Sequence, residues 1–241
     1  MVRFLGAWSA DFYGGPEVLA AESEFAAHFG SDYAITFNSW TSGLTAALGA
    51  MAIEPGDEVI VSPWTMSASA TAILEWNAIP VFADIDPRTF NLDPSAVEPK
   101  IGPRTRAVVV PDIFGHPADI QSLRKISGPH GIRLLSDTAQ SPGALDHDRY
   151  AGTLADIGGF SLNYHKHVHC GEGGVAVTND SDLAERMRMI RNHAEAVVVD
   201  RATFPRENMI GKNYRLSEIH AAIARQQLRK LNRQVASRQN I

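Results

Sequence analysis

The sequence predicts an α/β fold, a mostly parallel seven-stranded sheet with helices on both faces. Two observations carry this. Short β-rich runs alternate with amphipathic segments of helical length, and several of the runs are continuously apolar, as strands buried on both faces are. The length of 241 residues, with 44% hydrophobic and 20% charged residues, suits a large domain of this kind.

Strands are expected at residues 34–37, 58–61, 80–83, 107–110, 133–136, 157–161 and 174–178. Helices are expected at 16–29, 41–52, 67–76, 119–130 and 182–192. Turn chemistry supports these limits: Glu54-Pro55-Gly56-Asp57 precedes the second strand and Asp84-Ile85-Asp86-Pro87 follows the third. Too few residues separate the last two strands for a crossover helix, so that pair is expected to be antiparallel. A long helical pattern covers 216–238, with Leu216, Ile219, Ile223 and Leu231 on one face and Leu228 and Val235 further round. A helix that long needs a surface to pack on.

Bulk properties exclude several classes. The net charge is −5 and the 22 Lys and Arg are scattered, so no electrostatic footprint for nucleic acid exists. No run of about 18 apolar residues is present, and Asp11 interrupts the N-terminal region before a signal-peptide core could form. A cytoplasmic location is expected. The single Cys170 excludes an intrachain disulfide. His165, His167 and His169 recur at alternate positions, but only Cys170 stands near to complete a ligand set, so no metal is expected.

In open α/β sheets, ligands bind beyond the carboxyl ends of the strands. The first strand is followed by Asn38-Ser39-Trp40-Thr41-Ser42-Gly43, hydroxyl residues opening a helix. Such a start suits a phosphate, and Ser39 or Thr41 can equally serve as a cap. The second strand leads into Trp64-Thr65-Met66, where a planar ring could rest or where ordinary core packing continues. The fifth strand leads into Asp137-Thr138-Ala139-Gln140-Ser141. That aspartate is either a helix cap or a buried carboxylate paired with a protonated pyridine nitrogen.

The sixth strand ends at Ser161 and leads to Lys166, between His165 and His167 and just before Gly171-Glu172-Gly173-Gly174. A lysine there is either part of a polar loop or an amine that sheds its proton and attacks a carbonyl. A phosphate cradle, a carboxylate and a lysine at one sheet edge together match the needs of pyridoxal 5′-phosphate.

With these segments the chain resembles the DegT/DnrJ/StrS sugar aminotransferases of pyridoxal phosphate fold type I. The likeness runs from Phe12-Tyr13-Gly14-Gly15-Pro16 to Leu228-Arg229-Lys230-Leu231. It includes Pro80-Val81-Phe82-Ala83-Asp84, Gly115-His116-Pro117-Ala118-Asp119 and Gly211-Lys212-Asn213-Tyr214-Arg215. The resemblance implies that Lys166 holds the cofactor covalently and shuttles the proton. It implies that Asp137 pairs with the ring nitrogen, that Gln140 lies near the ring hydroxyl, and that Thr41, Ser42 and Ser161 hold the phosphate. Asn213 would reach the phosphate of a neighbouring subunit, which makes a homodimer with shared sites the expected unit.

Two departures from the family pattern stand out. Met66 occupies the place of the usual aromatic residue over the ring, with Trp64 as the alternative. Members also carry a smaller C-terminal domain after the long helix. Residues 1–215 are therefore expected to form the cofactor-binding large domain, with 216–241 starting a helix toward a domain that is absent. The implied reaction moves an amino group, from glutamate, to a nucleotide-linked keto-sugar in amino-sugar biosynthesis. The alternatives are a sugar 3-dehydratase, in which histidine replaces the lysine, and an inactive or truncated member.

Overall fold

The structure, a computed structural model, describes residues 14–194 and 209–240. Phe12, Tyr13 and the N-terminal stretch containing Asp11 lie outside them. In chain order the strands are β1 (Tyr33–Phe37), β2 (Glu58–Val61), β3 (Ile79–Phe82), β4 (Thr105–Pro111) and β5 (Arg133–Asp137), then β6 (Leu145–Asp146), β7 (Arg149–Tyr150), β8 (Ile157–Ser161) and β9 (Gly174–Thr178). The helices are α1 (Pro16–Phe29), α2 (Trp40–Ala50), α3 (Ser67–Leu74), α4 (Pro94–Val97), α5 (Ile120–Ser127), α6 (Ser181–Arg191), α7 (Glu218–Leu228) and α8 (Leu231–Gln239).

Seven strands form one sheet in the order β1-β9-β8-β5-β4-β2-β3, and β6 pairs with β7 in a separate hairpin. The pairs from β3 through β2, β4 and β5 to β8 are parallel. The β8–β9 pair is antiparallel, as the short connection requires, and β1 also runs antiparallel to β9. The hairpin and the one-turn α4 escape the sequence reading, being too short to show a period.

Strand side chains alternate between two apolar layers. Val59, Val61 and Leu135 pack with Leu44, Leu48, Ile73 and Met187 on one face. On the other, Ile60, Val108 and Leu134 pack with Leu123 of α5, while Phe160 and Val175 pack with Val18, Phe25 and Phe29 of α1. A buried ion pair joins the two faces beside β1: Arg191, ending α6, meets Glu22 of α1 at 2.5 Å, and that carboxylate also accepts from Thr36 N and Oγ1.

The C-terminal helix departs from expectation. It is two helices, interrupted at Arg229 and Lys230. Ala221, Ala224, Leu228 and Leu231 form the buried stripe, whereas Ile219 is 72% exposed and Ile223 41%. Small alanines let α7 lie close to α1, so counting large aliphatic residues picks the wrong face. Polar contacts lock the pair. Arg225 bridges Glu17 and Glu24 at 2.6 Å each, and the Glu218 carboxylate accepts from Glu17 N and Val18 N, capping α1. Among the described residues, no helix is long and apolar enough to cross a membrane.

Candidate active site

At the carboxyl edge of the sheet, a cavity of about 240 Å³ is walled by Thr41, Met66, Asp137, Gln140, Ser161 and Lys166. A larger cleft of about 490 Å³, between Ser31, Asp156 and Asp180, lies at the opposite edge and gathers no amine. The smaller cavity is therefore where the reactive groups converge.

Its floor is built on α2. Ser39 caps that helix: its Oγ accepts from Ser42 N at 3.1 Å and lies 2.9 Å from Ser42 Oγ. The cap leaves Trp40 N and Thr41 N without an acceptor among the described residues, and both residues line the cavity. This start presses on β9 because Gly174 has no side chain. A Cβ there would stand 2.6 Å from Trp40 N and Cα.

Trp40 is buried and reaches across the sheet. Its Nε1 donates to Asp137 Oδ1 at 2.8 Å, and Ser69 Oγ, from α3, donates to Oδ2 at 2.7 Å. Ala139 N adds a longer contact of 3.3 Å to Oδ1. Gly159 makes the indole position available, since a Cβ there would lie 2.0 Å from the ring. Asp137 is 7% exposed, and no cation pairs with its carboxylate among the described residues. It ends β5 as a buried, hydrogen-bonded acceptor and does not cap a helix.

The lysine segment is a tight loop. Lys166 N donates to Asn163 O at 2.9 Å, and Asn163 Nδ2 donates to Glu172 Oε1 at 2.7 Å, tying the loop to the glycine turn. Leu162 N to Gly173 O and Cys170 N to Leu162 O close its base. Lys166 Nζ enters no ion pair among the described residues. His165 lines the cavity beside it.

His167 turns away toward α8, where Arg238 Nη1 meets its Nε2 at 2.8 Å. Burial, then the charges of Arg238 and Lys166, hold His167 below the usual histidine range. Of the two histidines flanking Lys166, His165 alone lines the cavity. His116 and His193 lie outside the cavity.

Gln140 Oε1 accepts from Phe114 N at 2.9 Å, which leaves its NH2 group to donate into the cavity. Met66, 68% exposed, lines the cavity, whereas Trp64 does not and instead neighbours Phe90 at 6.0 Å between ring centroids. Both side chains are exposed, so neither belongs to the core. Two predicted residues fall outside the cavity wall. Ser42 is committed to Ser39, and Asn213 is exposed on a strand-like bridge to Asn192.

Trp40, Ser69 and Asn163 are the groups that sequence reasoning missed. Of these, only Trp40 left a trace, as a large apolar residue between two hydroxyl residues at a helix start. Among the described residues, no group of three His, Cys, Asp or Glu side chains is placed to hold a metal.

The profile of the DegT/DnrJ/EryC1/StrS aminotransferase family matches residues 7–241. The chain belongs to this family. Within it, the chain is 40% identical over 222 residues to L-glutamine:2-deoxy-scyllo-inosose aminotransferase of Streptoalloteichus tenebrarius, covering 89% of this chain and 52% of that protein. It is 37% identical over 230 residues to GDP-perosamine synthase of Caulobacter vibrioides, covering 94% of this chain and 60% of that protein. Its fold matches that of E. coli GDP-4-keto-6-deoxy-D-mannose-3-dehydratase with bound hydrated PLP. There the TM-score is 0.86 at 28% identity, over 94% of this chain and 63% of the other. The chain thus spans between half and two-thirds of the length of these DegT/DnrJ/EryC1/StrS relatives.

Proposed function

We propose that this chain carries the pyridoxal 5′-phosphate site of an aminotransferase that moves an amino group from an amino acid to a nucleotide-linked keto-sugar. The observation that carries this reading is the convergence of the α2 N-terminus, Asp137 and Lys166 on one cavity. When bound, the cofactor supplies an electron sink through which an amino group leaves one carbon skeleton and joins another.

The residues fit that group. Trp40 N, Thr41 N and the Thr41 and Ser161 hydroxyls suit a phosphate. Asp137, buried and unpaired with any cation among the described residues, suits a protonated ring nitrogen. Lys166 offers the amine that attaches the aldehyde and carries a proton at Nζ. Met66 offers a polarizable thioether to a ring face, and Gln140 an amide donor at its edge.

Glutamate is the donor expected from the resemblance, and L-glutamine is named for one relative. Two copies sharing their sites complete the reading: Asn213, exposed and outside its own cavity, is proposed to serve a partner's phosphate.

The test is a panel of nucleotide-linked keto-sugars and cyclitol ketones, with glutamate and glutamine, read by mass spectrometry. An amino group gained on a nucleotide-linked sugar supports the proposal. Loss of a hydroxyl with no nitrogen gained supports the second reading, a sugar 3-dehydratase, which the fold likeness to the E. coli enzyme favours and Lys166 opposes. Borohydride reduction with the cofactor should leave a pyridoxyl group on Lys166. A colourless, unlabelled protein would indicate an inactive member.

A further inference from the structure

Directly behind Asp137 lies a second carboxylate, Asp112, 2% exposed at the end of β4. We propose that Asp112 is a positioning residue for Asp137, fixing the cofactor-facing carboxylate by gripping the residues on both sides of it. The inference rests on the cofactor reading above, which makes Asp137 the ring-nitrogen partner.

The grip is specific. Ser136 Oγ and Thr138 Oγ1, from the two residues flanking Asp137, both donate to Asp112 Oδ2, at 3.1 and 2.7 Å. Ala118 N donates to Oδ1 at 2.8 Å. The backbone of Asp112 completes the clamp: its N–H donates to Asp137 O at 3.0 Å, and its carbonyl accepts from Ser141 Oγ at 2.7 Å. Asp112, just past β4, thus holds the end of β5 and the turn after it at Ser136, Asp137 O, Thr138 and Ser141.

The chemistry of the clamp argues that it is more than filler. All donors to the Asp112 carboxylate are neutral, one amide and two hydroxyls, so a buried charge is held without a cation. That is costly compared with a neutral acceptor. Burial pushes this acid up from 3.8 to about 6, with the Asp137 charge adding to the rise. Asp137 on β5 is the ionised group whose charge acts on it; the Ala118 segment contributes only an amide. Protonation turns one carboxylate oxygen into a donor, so one contact of the clamp must reverse or break. A folded-state rise makes the ionised form a burden: stability is lost as pH climbs from 3.8 to about 6. A neutral replacement is therefore expected to spare stability at pH 8 while loosening the turn.

The experiment compares the chain with Asp112→Asn and Thr138→Val. It measures cofactor affinity by fluorescence titration, the pH profile of the bound cofactor's absorbance, and melting of the cofactor-free proteins. Each variant is expected to bind the cofactor about tenfold more weakly at pH 8 and to move the spectral midpoint. Cofactor-free melting should stay near that of the parent. Parent affinity should fall from pH 7 to pH 5, with a flatter profile for Asp112→Asn.

Wild-type affinity and an unshifted spectrum in both variants would overturn the proposal. So would affinity lost only in step with lost fold. Should Asp112→Asn not fold, Thr138→Val decides alone. Failure of the parent chain to bind the cofactor at Lys166 would instead remove the cofactor reading itself.

Discussion

Trp40 Nε1 and Asp137 Oδ1 meet at 2.8 Å, joining the first residue of α2 to the last of β5 across 97 residues of sequence. One side chain thereby sets the spacing between the helix start proposed for the phosphate and the carboxylate proposed for the ring nitrogen. Trp40→Phe deletes the donor and also withdraws the outer indole ring that stands against Gly159, so its cost includes lost packing. Loss of a hydrogen bond to a buried carboxylate costs about 1–3 kcal/mol. Urea unfolding should show that loss, and cofactor affinity should drop roughly tenfold. Unchanged affinity in a destabilised variant would separate the contact from the site.

Local chemistry explains what the sequence made readable. The strand limits at 58–61, 157–161 and 174–178 coincide with β2, β8 and β9, because apolar runs end there in turn residues. The antiparallel β8–β9 pair follows from connection length alone. Thr41, Asp137 and Lys166 could be placed at one sheet edge because each stands at, or a few residues beyond, the carboxyl end of a strand. What stayed hidden depends on distant partners. Nothing local to Ser69 or Asp112 reports that both serve the Asp137 segment from other elements. The α7 stripe was misjudged for a related reason: which face is buried depends on the close approach of α1, not on where the largest side chains stand.

Cys170 offers a direct check on the lysine loop. The thiol is 2% exposed, its Sγ lies 3.3 Å from Glu172 O, and burial with the Glu172 charge pushes its pKa up to about 12. Thiolate is the reactive form, so at pH 8 the folded protein should resist an aromatic disulfide reagent for hours, then release one equivalent in denaturant. Fast labelling in the native state would mean that the 161–174 loop opens readily. Protection that increases with cofactor would tie that opening to the site.

The His167–Arg238 contact makes the lysine loop sensitive to acid. Arginine can only donate, so His167 must present an unprotonated Nε2 and carry its proton on Nδ1. Its folded pKa lies below 6.5 through burial, Arg238 and Lys166, in that order. Below pH 6.5 the unfolded chain therefore takes up this proton first, and stability is lost as pH falls through that window. Asp112 acts with the opposite sign in overlapping conditions, so the parent chain alone cannot isolate the effect. The comparison that does is parent against His167→Gln, whose side-chain oxygen can still accept from Arg238 but does not titrate. Melting temperatures recorded from pH 8 to pH 5 should fall more steeply for the parent, with the gap opening below pH 6.5. Arg238→Ala should narrow that gap by removing one of the charges that resist protonation. Parallel curves for parent and His167→Gln would show that His167 titrates freely and that α8 does not restrain the loop bearing Lys166.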